Sequence, residues 1–275
     1  LNLKENIKII GLLQQKLDRC ELIVALINNN SSLEYTVKEF NKLSVLNPSV
    51  KLYKFSDSGE FSYSRINNTA VERVGKKESG IDFIWFLNND ISFTTNTTLG
   101  EYVDFASTTK NFGALGSTLL YPDSKYIQHL FLSPGTKLAG AHPLKGAVFC
   151  KDHKWFDSPR PVAAVTGASL FLGYKNFVDA QGFDEVLAVG CQDLDLCLRF
   201  LEKGLVNWTL AATVLLHHES STRKAKLPTK DISLFYTKWQ QHLFCIDYYN
   251  SKFSTWSEYP LLSFWPKRYP WQYFV

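Results

Sequence analysis

Apolar and polar positions divide the chain into alternating strand-like and helix-like stretches. Residues 22–27 (Leu-Ile-Val-Ala-Leu-Ile) form a continuous apolar run that ends in Asn28-Asn29-Asn30-Ser31-Ser32. Such an uninterrupted run predicts a parallel strand buried on both faces. A second unit, residues 81–87, runs in the same way into Asn88-Asn89-Asp90. Strands that give way to polar loops are where open α/β sheets hold ligands. Between the two, residues 67–74 read as helix, and this alternation implies a parallel sheet. Farther along, Leu194, Leu198 and Leu201 recur at helical spacing from Asp193 until Gly204 supplies a stop. Ser169-Leu170-Phe171-Leu172 reads as a short strand, residues 206–216 as a strand ending in His217-His218-Glu219, and residues 232–249 as a helix. The character changes after that, with Trp256, Trp265 and Trp271 accompanying Lys267-Arg268. Two units are therefore expected: an α/β domain over residues 1–252 and an aromatic, basic tail over residues 253–275.

Composition narrows the classes. A length of 275 residues suits one α/β domain with a substantial core. The net charge is only +4, with Lys and Arg dispersed, so the dense basic face of a nucleic-acid binder is not expected. The 5 cysteines form no CxxC pair, which argues against a zinc knuckle and against a disulfide-stapled secreted fold. A cytoplasmic setting is the expectation. The apolar runs fall far short of the ~18 residues of a membrane-spanning helix, and no signal peptide is visible. The sequence holds no methionine, which fits either a fragment of a longer chain or the loss of modified methionines from the sequence.

Several separated motifs carry the chemistry. They are Ser64-Arg65-Ile66-Asn67-Asn68, Phe86-Leu87-Asn88-Asn89-Asp90, Leu119-Leu120-Tyr121-Pro122-Asp123 with Ile127-Gln128-His129, and Val165-Thr166-Gly167-Ala168. Gly182-Phe183-Asp184-Glu185, Asp193-Leu194-Asp195-Leu196-Cys197-Leu198-Arg199 and His217-His218-Glu219-Ser220-Ser221 complete the set. In order and spacing they resemble the inverting family 2 glycosyltransferases of the GT-A fold, especially rhamnosyltransferase-like members that build bacterial surface polysaccharides. The resemblance spans roughly residues 20–250. It implies a mostly parallel central sheet flanked by helices. It also implies transfer of a sugar, with inversion, from a UDP- or dTDP-linked donor to a saccharide or lipid-linked saccharide acceptor. Three departures accompany it. The family's opening Pro-x-x-Asn strand is not recognisable before Asn28, Asn28 stands where members commonly carry Asp, and Gln192 replaces the first acid of the usual Glu-Asp pair. With Asn88, these losses of acids motivate the alternative of a non-catalytic GT-A-like module within a larger synthase.

Inverting transfer needs a base for the acceptor hydroxyl and a counter-charge for the departing diphosphate. The resemblance places Asp90 as the metal ligand and Asn88 as a weaker or water-mediated one; the same residues also suit an Asx turn. It places a metal-binding His at the end of the strand, which spacing leaves open between His217 and His218. Carboxylate, imidazole and phosphate together suit Mn²⁺ or Mg²⁺. A zinc-protease HExxH reading fails, because its second His would fall at Thr222. Asp193 takes the general-base position and Asp195 the helix-starting one, although either carboxylate also suits a first helical turn without chemistry. The expected donor site comprises Asn28, Arg65, Asn67, Asn88, Asn89, Asp90, Thr166, Gly167 and Ala168. For Arg65 and Asn67 the plain alternative is solvation or capping, and for Thr166–Ala168 an ordinary turn. Cys191 and Cys197 read as unreactive thiols. The tail is expected either at a membrane interface on the cytoplasmic face or packed onto the domain or a partner subunit.

Overall fold

The computed structural model describes residues 20–29, 50–134, 140–153, 156–218 and 229–239. The tail from residue 253, and the expected helix beyond Trp239, lie outside the described residues. In order the elements are β1 (Ile23–Asn29), β2 (Lys51–Asp57), α1 (Tyr63–Gly75), β3 (Phe83–Leu87), β4 (Ile91–Phe93), α2 (Thr98–Thr108) and β5 (Phe112–Leu120). They continue with β6 (Ile127–His129), β7 (Arg160–Val162), β8 (Ser169–Gly173), α3 (Tyr174–Asp179), α4 (Gln192–Glu202), β9 (Val206–His217) and α5 (Thr229–Trp239).

β1 and β2 pair in parallel from Ile23 opposite Lys51 to Asn29 opposite Asp57. α1 covers this pair, its Ala70 and Val74 joining Phe55, Ile23 and Ile27. The helix begins at Ser62, whose hydroxyl accepts the Arg65 N–H at 3.2 Å and so satisfies one of the unpaired first-turn donors. The larger sheet has seven strands, running β3-β8-β5-β9-β4 with β6 on β5 and β7 on β9. It is mixed: β5 and β9 are parallel, whereas β8 runs antiparallel to both β3 and β5.

β5 is buried at all its positions, as befits a strand packed on both faces. Its sequence, Phe-Gly-Ala-Leu-Gly-Ser-Thr-Leu-Leu, shows neither alternation nor a long apolar run. The reason lies in packing: a Cβ on Gly116 would stand 2.8 Å from Val165 Cβ, so only glycine fits there. On one face α4 and α5 contribute Leu194, Leu198, Phe200, Phe235 and Trp239 to the main core. On the other, α2 buries Leu99, Tyr102 and Ala106 against Phe112, Leu115 and Phe171. Tyr102 sits between Trp85 and Phe171, with ring centroids 5.1 and 5.4 Å away. Such aromatic pairs contribute about 0.5–1.5 kcal/mol each beyond their buried area.

Candidate active site

Pairing of β4 with β9 sets His217 opposite Ile91, and so brings the end of β9 beside the Asn88-Asn89-Asp90 turn. His217 Nε2 lies 3.2 Å from Asp90 Oδ1. The other ring nitrogen, Nδ1, is 2.6 Å from the amide oxygen of Gln128 on β6. An amide oxygen only accepts, so the ring proton sits on Nδ1 and the Nε2 lone pair faces the carboxylate. Two electron-rich atoms at this separation call for a cation or a proton between them. His218 turns elsewhere, its Nε2 3.0 Å from the Ser92 hydroxyl and its N–H donating to the Asp90 carbonyl. The structure therefore separates the two histidines that spacing left equivalent.

A metal fits this arrangement. Cis ligands on an octahedral Mg²⁺, each about 2.1 Å from the ion, stand about 3 Å apart, close to the observed separation. The Gln128 contact is the kind of outer hydrogen bond that orients a ligating imidazole. Among the described residues no group of three or more His, Cys, Asp or Glu could hold an ion alone. Asn88 adjoins the pair, its N–H donating to the Ala168 carbonyl at 2.9 Å, while Asn89 is exposed.

The second half of the site is the Thr166-Gly167-Ala168 loop before β8. Gly167 N–H donates to Asp193 Oδ2 at 2.7 Å, and Asp193 Oδ1 accepts its neighbour's Leu194 N–H at 2.8 Å. Burial raises the Asp193 pKa, against the opposing pull of these N–H groups and of the Thr166 hydroxyl. The loop is held on its other sides too. Tyr63 donates its hydroxyl to the Gly167 carbonyl at 2.7 Å, and Thr166 N–H donates to His129 Nε2 at 3.3 Å. A Cβ on Gly167 would come 3.0 Å from the Tyr63 hydroxyl, so the glycine permits this close approach. The Asn88 bond to Ala168 joins this loop to the Asp90 turn.

Gln192, beside Asp193, is buried, and its side-chain oxygen has no hydrogen-bond partner among the described residues. An acid there would add another anion beside Asp193 and push its pKa up further, a repulsion the neutral amide avoids.

Asp195 does more than start the helix, the role expected for it. It is fully buried, with Oδ2 accepting from Arg199 Nε at 2.8 Å. Oδ1 accepts from Trp239 Nε1 at 2.8 Å and lies 2.7 Å from Lys238 Nζ. It thus ties α5 to α4. Asp231 adds a second tie, its carboxylate accepting the N–H groups of Val189 and Gly190 in the loop before α4. That loop ends in Cys191, whose left-handed backbone (φ 64°) turns the chain into α4. Cys191 and Cys197 are buried and both thiols are pushed up to about 12 by burial, so neither is poised as a nucleophile.

On the β1–β2 side, Asn28 is buried near the end of β1. Arg65 forms a two-pronged pair with Asp57, one contact at 3.0 Å, and also donates to the Glu60 carbonyl. Asn67 donates back to Tyr63 within its own helix. Its neighbour Asn68, not singled out from the sequence, makes the long-range bonds to Phe183 in both directions. Gln128, His129 and Tyr63 were also missed as individual site residues; the first two belong to a recognised motif, but no spacing rule says what they touch.

No protein-family model matches the chain. The O-antigen biosynthesis protein RfbC of Myxococcus xanthus is 31% identical over 224 residues, covering 80% of this chain but 17% of the relative. The uncharacterized protein y4gI of Sinorhizobium fredii is 29% identical over 245 residues, covering 84% of this chain and 25% of the relative. This chain therefore spans a quarter or less of the length of these relatives. Among solved structures, mannosyltransferase PcManGT from Pyrobaculum calidifontis, in complex with GDP-Man and Mn²⁺, superposes with a TM-score of 0.52 at 13% identity, covering 84% of this chain and 65% of that one. GalNAc-T7 with UDP, GalNAc and Mn²⁺ superposes with a TM-score of 0.56 at 11% identity, covering 82% of this chain and 43% of that one. The mixed sheet, its flanking helices and these superpositions establish that the chain has the GT-A fold of nucleotide-sugar transferases.

Proposed function

We propose that this chain is a glycosyltransferase domain of polysaccharide assembly, as the name of its relative RfbC, an O-antigen biosynthesis protein, supports. In this reading it is an inverting, family 2, rhamnosyltransferase-like enzyme using a UDP- or dTDP-linked sugar. The observation that carries the proposal is the meeting of two centres at one end of the strands, the Asp90–His217 pair and the loop-bound Asp193, joined by the Asn88 bond to Ala168. Both GT-A neighbours were solved with Mn²⁺ and a nucleotide or nucleotide sugar, which supports the same kind of ligand here.

Asp90 and His217 would hold Mn²⁺ or Mg²⁺, with Asn88 close by and the remaining positions left to the donor diphosphate and water. When bound, the ion supplies charge neutralisation for the leaving nucleoside diphosphate. Asp193 accepts the proton of the acceptor hydroxyl as that oxygen attacks the anomeric carbon. Its raised pKa suits that task, since a base more avid than an ordinary carboxylate captures the proton more readily near neutral pH. Asn28 and Arg65 line the nucleotide side, Arg65 already oriented by Asp57.

Donor hydrolysis tests the proposal. Purified protein with Mn²⁺ and a panel of UDP- and dTDP-sugars, dTDP-rhamnose included, should slowly release nucleoside diphosphate, and EDTA should abolish the release. If none of these donors is hydrolysed and no nucleotide binds in a metal-dependent way, a non-catalytic module is the correct reading.

A further inference from the structure

The bond from Thr166 N–H to His129 Nε2 has a consequence for the protons. Because Nε2 accepts, it is bare, and neutral His129 carries its proton on Nδ1. That nitrogen lies 3.0 Å from His142 Nδ1, which therefore accepts. The donors run in one direction, from the Thr166 N–H to His129 and from His129 to His142, and so start on the peptide next to the one that holds Asp193. His129 is buried on β6, and among the described residues its ring nitrogens meet Thr166 and His142. The adjacent residue, Gln128, fixes the tautomer of His217. Neighbouring positions of a strand project to opposite sides, so three-residue β6 serves both centres.

We propose that His129, its tautomer set by His142, is a positioning residue that locks the Thr166–Gly167 peptides and thereby aims the Asp193 carboxylate. The proposal rests on Asp193 being the base of the transferase reading. Without the acceptor on His142, the His129 proton is free to move to Nε2, where it opposes the Thr166 N–H. The loop then shifts and the Gly167 bond to Asp193 loosens. Displacement of this kind degrades the orientation of a reacting group while leaving donor binding intact.

The experiment combines ring-nitrogen NMR with kinetics on ¹⁵N-labelled, metal-free protein for the spectra and Mn²⁺-loaded protein for the rates. In the parent, His129 should be protonated on Nδ1 and bare on Nε2. His142→Phe should transfer that proton to Nε2, shift the Gly167 amide proton upfield, and lower kcat by roughly 10-fold to 10²-fold with the donor KM nearly unchanged. His142→Asn, whose amide oxygen takes the place of Nδ1, should restore all three. If His142→Phe does not fold, His129→Phe against His129→Gln makes the same comparison, because the glutamine oxygen accepts from Thr166. A parent His129 protonated on Nε2 overturns the proposal, as does a Gly167 amide that stays put while the ring tautomer flips. Absence of turnover in the parent would sink the transferase reading alone, since the spectra still decide the His129 tautomer.

Discussion

Asp90 Oδ1 and His217 Nε2 face each other at 3.2 Å across the β4–β9 ladder, with the proton of His217 drawn to the far side of the ring by Gln128. The pairing is a product of register, since Ile91 opposite His217 leaves the carboxylate one residue away from the imidazole.

Removing either member should abolish tight ion binding. Asp90→Ala and His217→Ala are expected to lose Mn²⁺-dependent nucleotide binding in calorimetry with the melting temperature little changed. His218→Ala, which loses a bond to Ser92 only, should bind Mn²⁺ and nucleotide nearly as the parent does.

Gln128→Leu tests the outer hydrogen bond. It keeps the shape but releases His217 Nδ1–H, and affinity for Mn²⁺ should fall roughly 10-fold to 10²-fold, the usual effect of deleting such a partner. Electron paramagnetic resonance titration of free Mn²⁺ reads this directly.

Asp193→Asn removes basicity while keeping an acceptor for Gly167, and kcat should drop roughly 10²-fold to 10⁴-fold with donor affinity unchanged. Burial raises the Asp193 pKa, and the proposed base works only when ionised. The parent rate should therefore rise with pH through a midpoint above the ordinary carboxylate range, and the variant's residual rate should lack that limb.

Asp195→Asn should damage the fold. Its carboxylate is fully buried between Arg199, Lys238 and Trp239. Taking one member from a buried charged network costs about 3–5 kcal/mol, far more than loss of a helix-starting residue. Thermal melting beside Asp193→Asn should show a drop of about 10 °C for Asp195→Asn alone.

Acid should weaken the protein through its histidine pair. Burial lowers His142 from 6.5 to about 4, and burial together with His142 lowers His129 well below its ordinary value. The unfolded chain then binds more protons, so this contribution to stability is complete above about 6.5 and is lost as pH falls toward about 4. Melting temperature against pH should slope less steeply for His142→Asn.

Much of the frame was readable. Apolar runs located β1 and β3, and helical spacing located α4 within a residue of its start. β5 escaped because two glycines and three small residues, needed where Val165 and Asn207 press close, erase the hydrophobic signal of a central strand. The motif order drew attention to Asp90, the His pair, the Thr166 loop and Asp193, which the fold gathers at linked positions. What the sequence does not encode locally is direction. Whether His217 or His218 turns toward Asp90 depends on the β4–β9 register, and whether Asn67 or Asn68 reaches across the molecule depends on how α1 is rotated against the loop at Phe183. Asp193 and Asp195 are alike as residues in a first helical turn, and packing tells them apart, the Thr166 loop meeting Asp193 and the later helix α5 meeting Asp195.

That later helix has a bearing on the order in which the molecule is built. The carboxylate of Asp231 caps the backbone of Val189 and Gly190 from 42 and 41 residues downstream. A chain emerging from the ribosome can pair β5, β8 and β9 as soon as β9 is made. The turn that leads to Asp193 lacks this particular tether until Thr229–Trp239 has followed, and until then Ser64 of α1 holds it at Leu187 and Ala188. A nascent chain halted after His217 would therefore carry every strand of the larger sheet but not the Asp231 clasp on the turn that leads to Asp193.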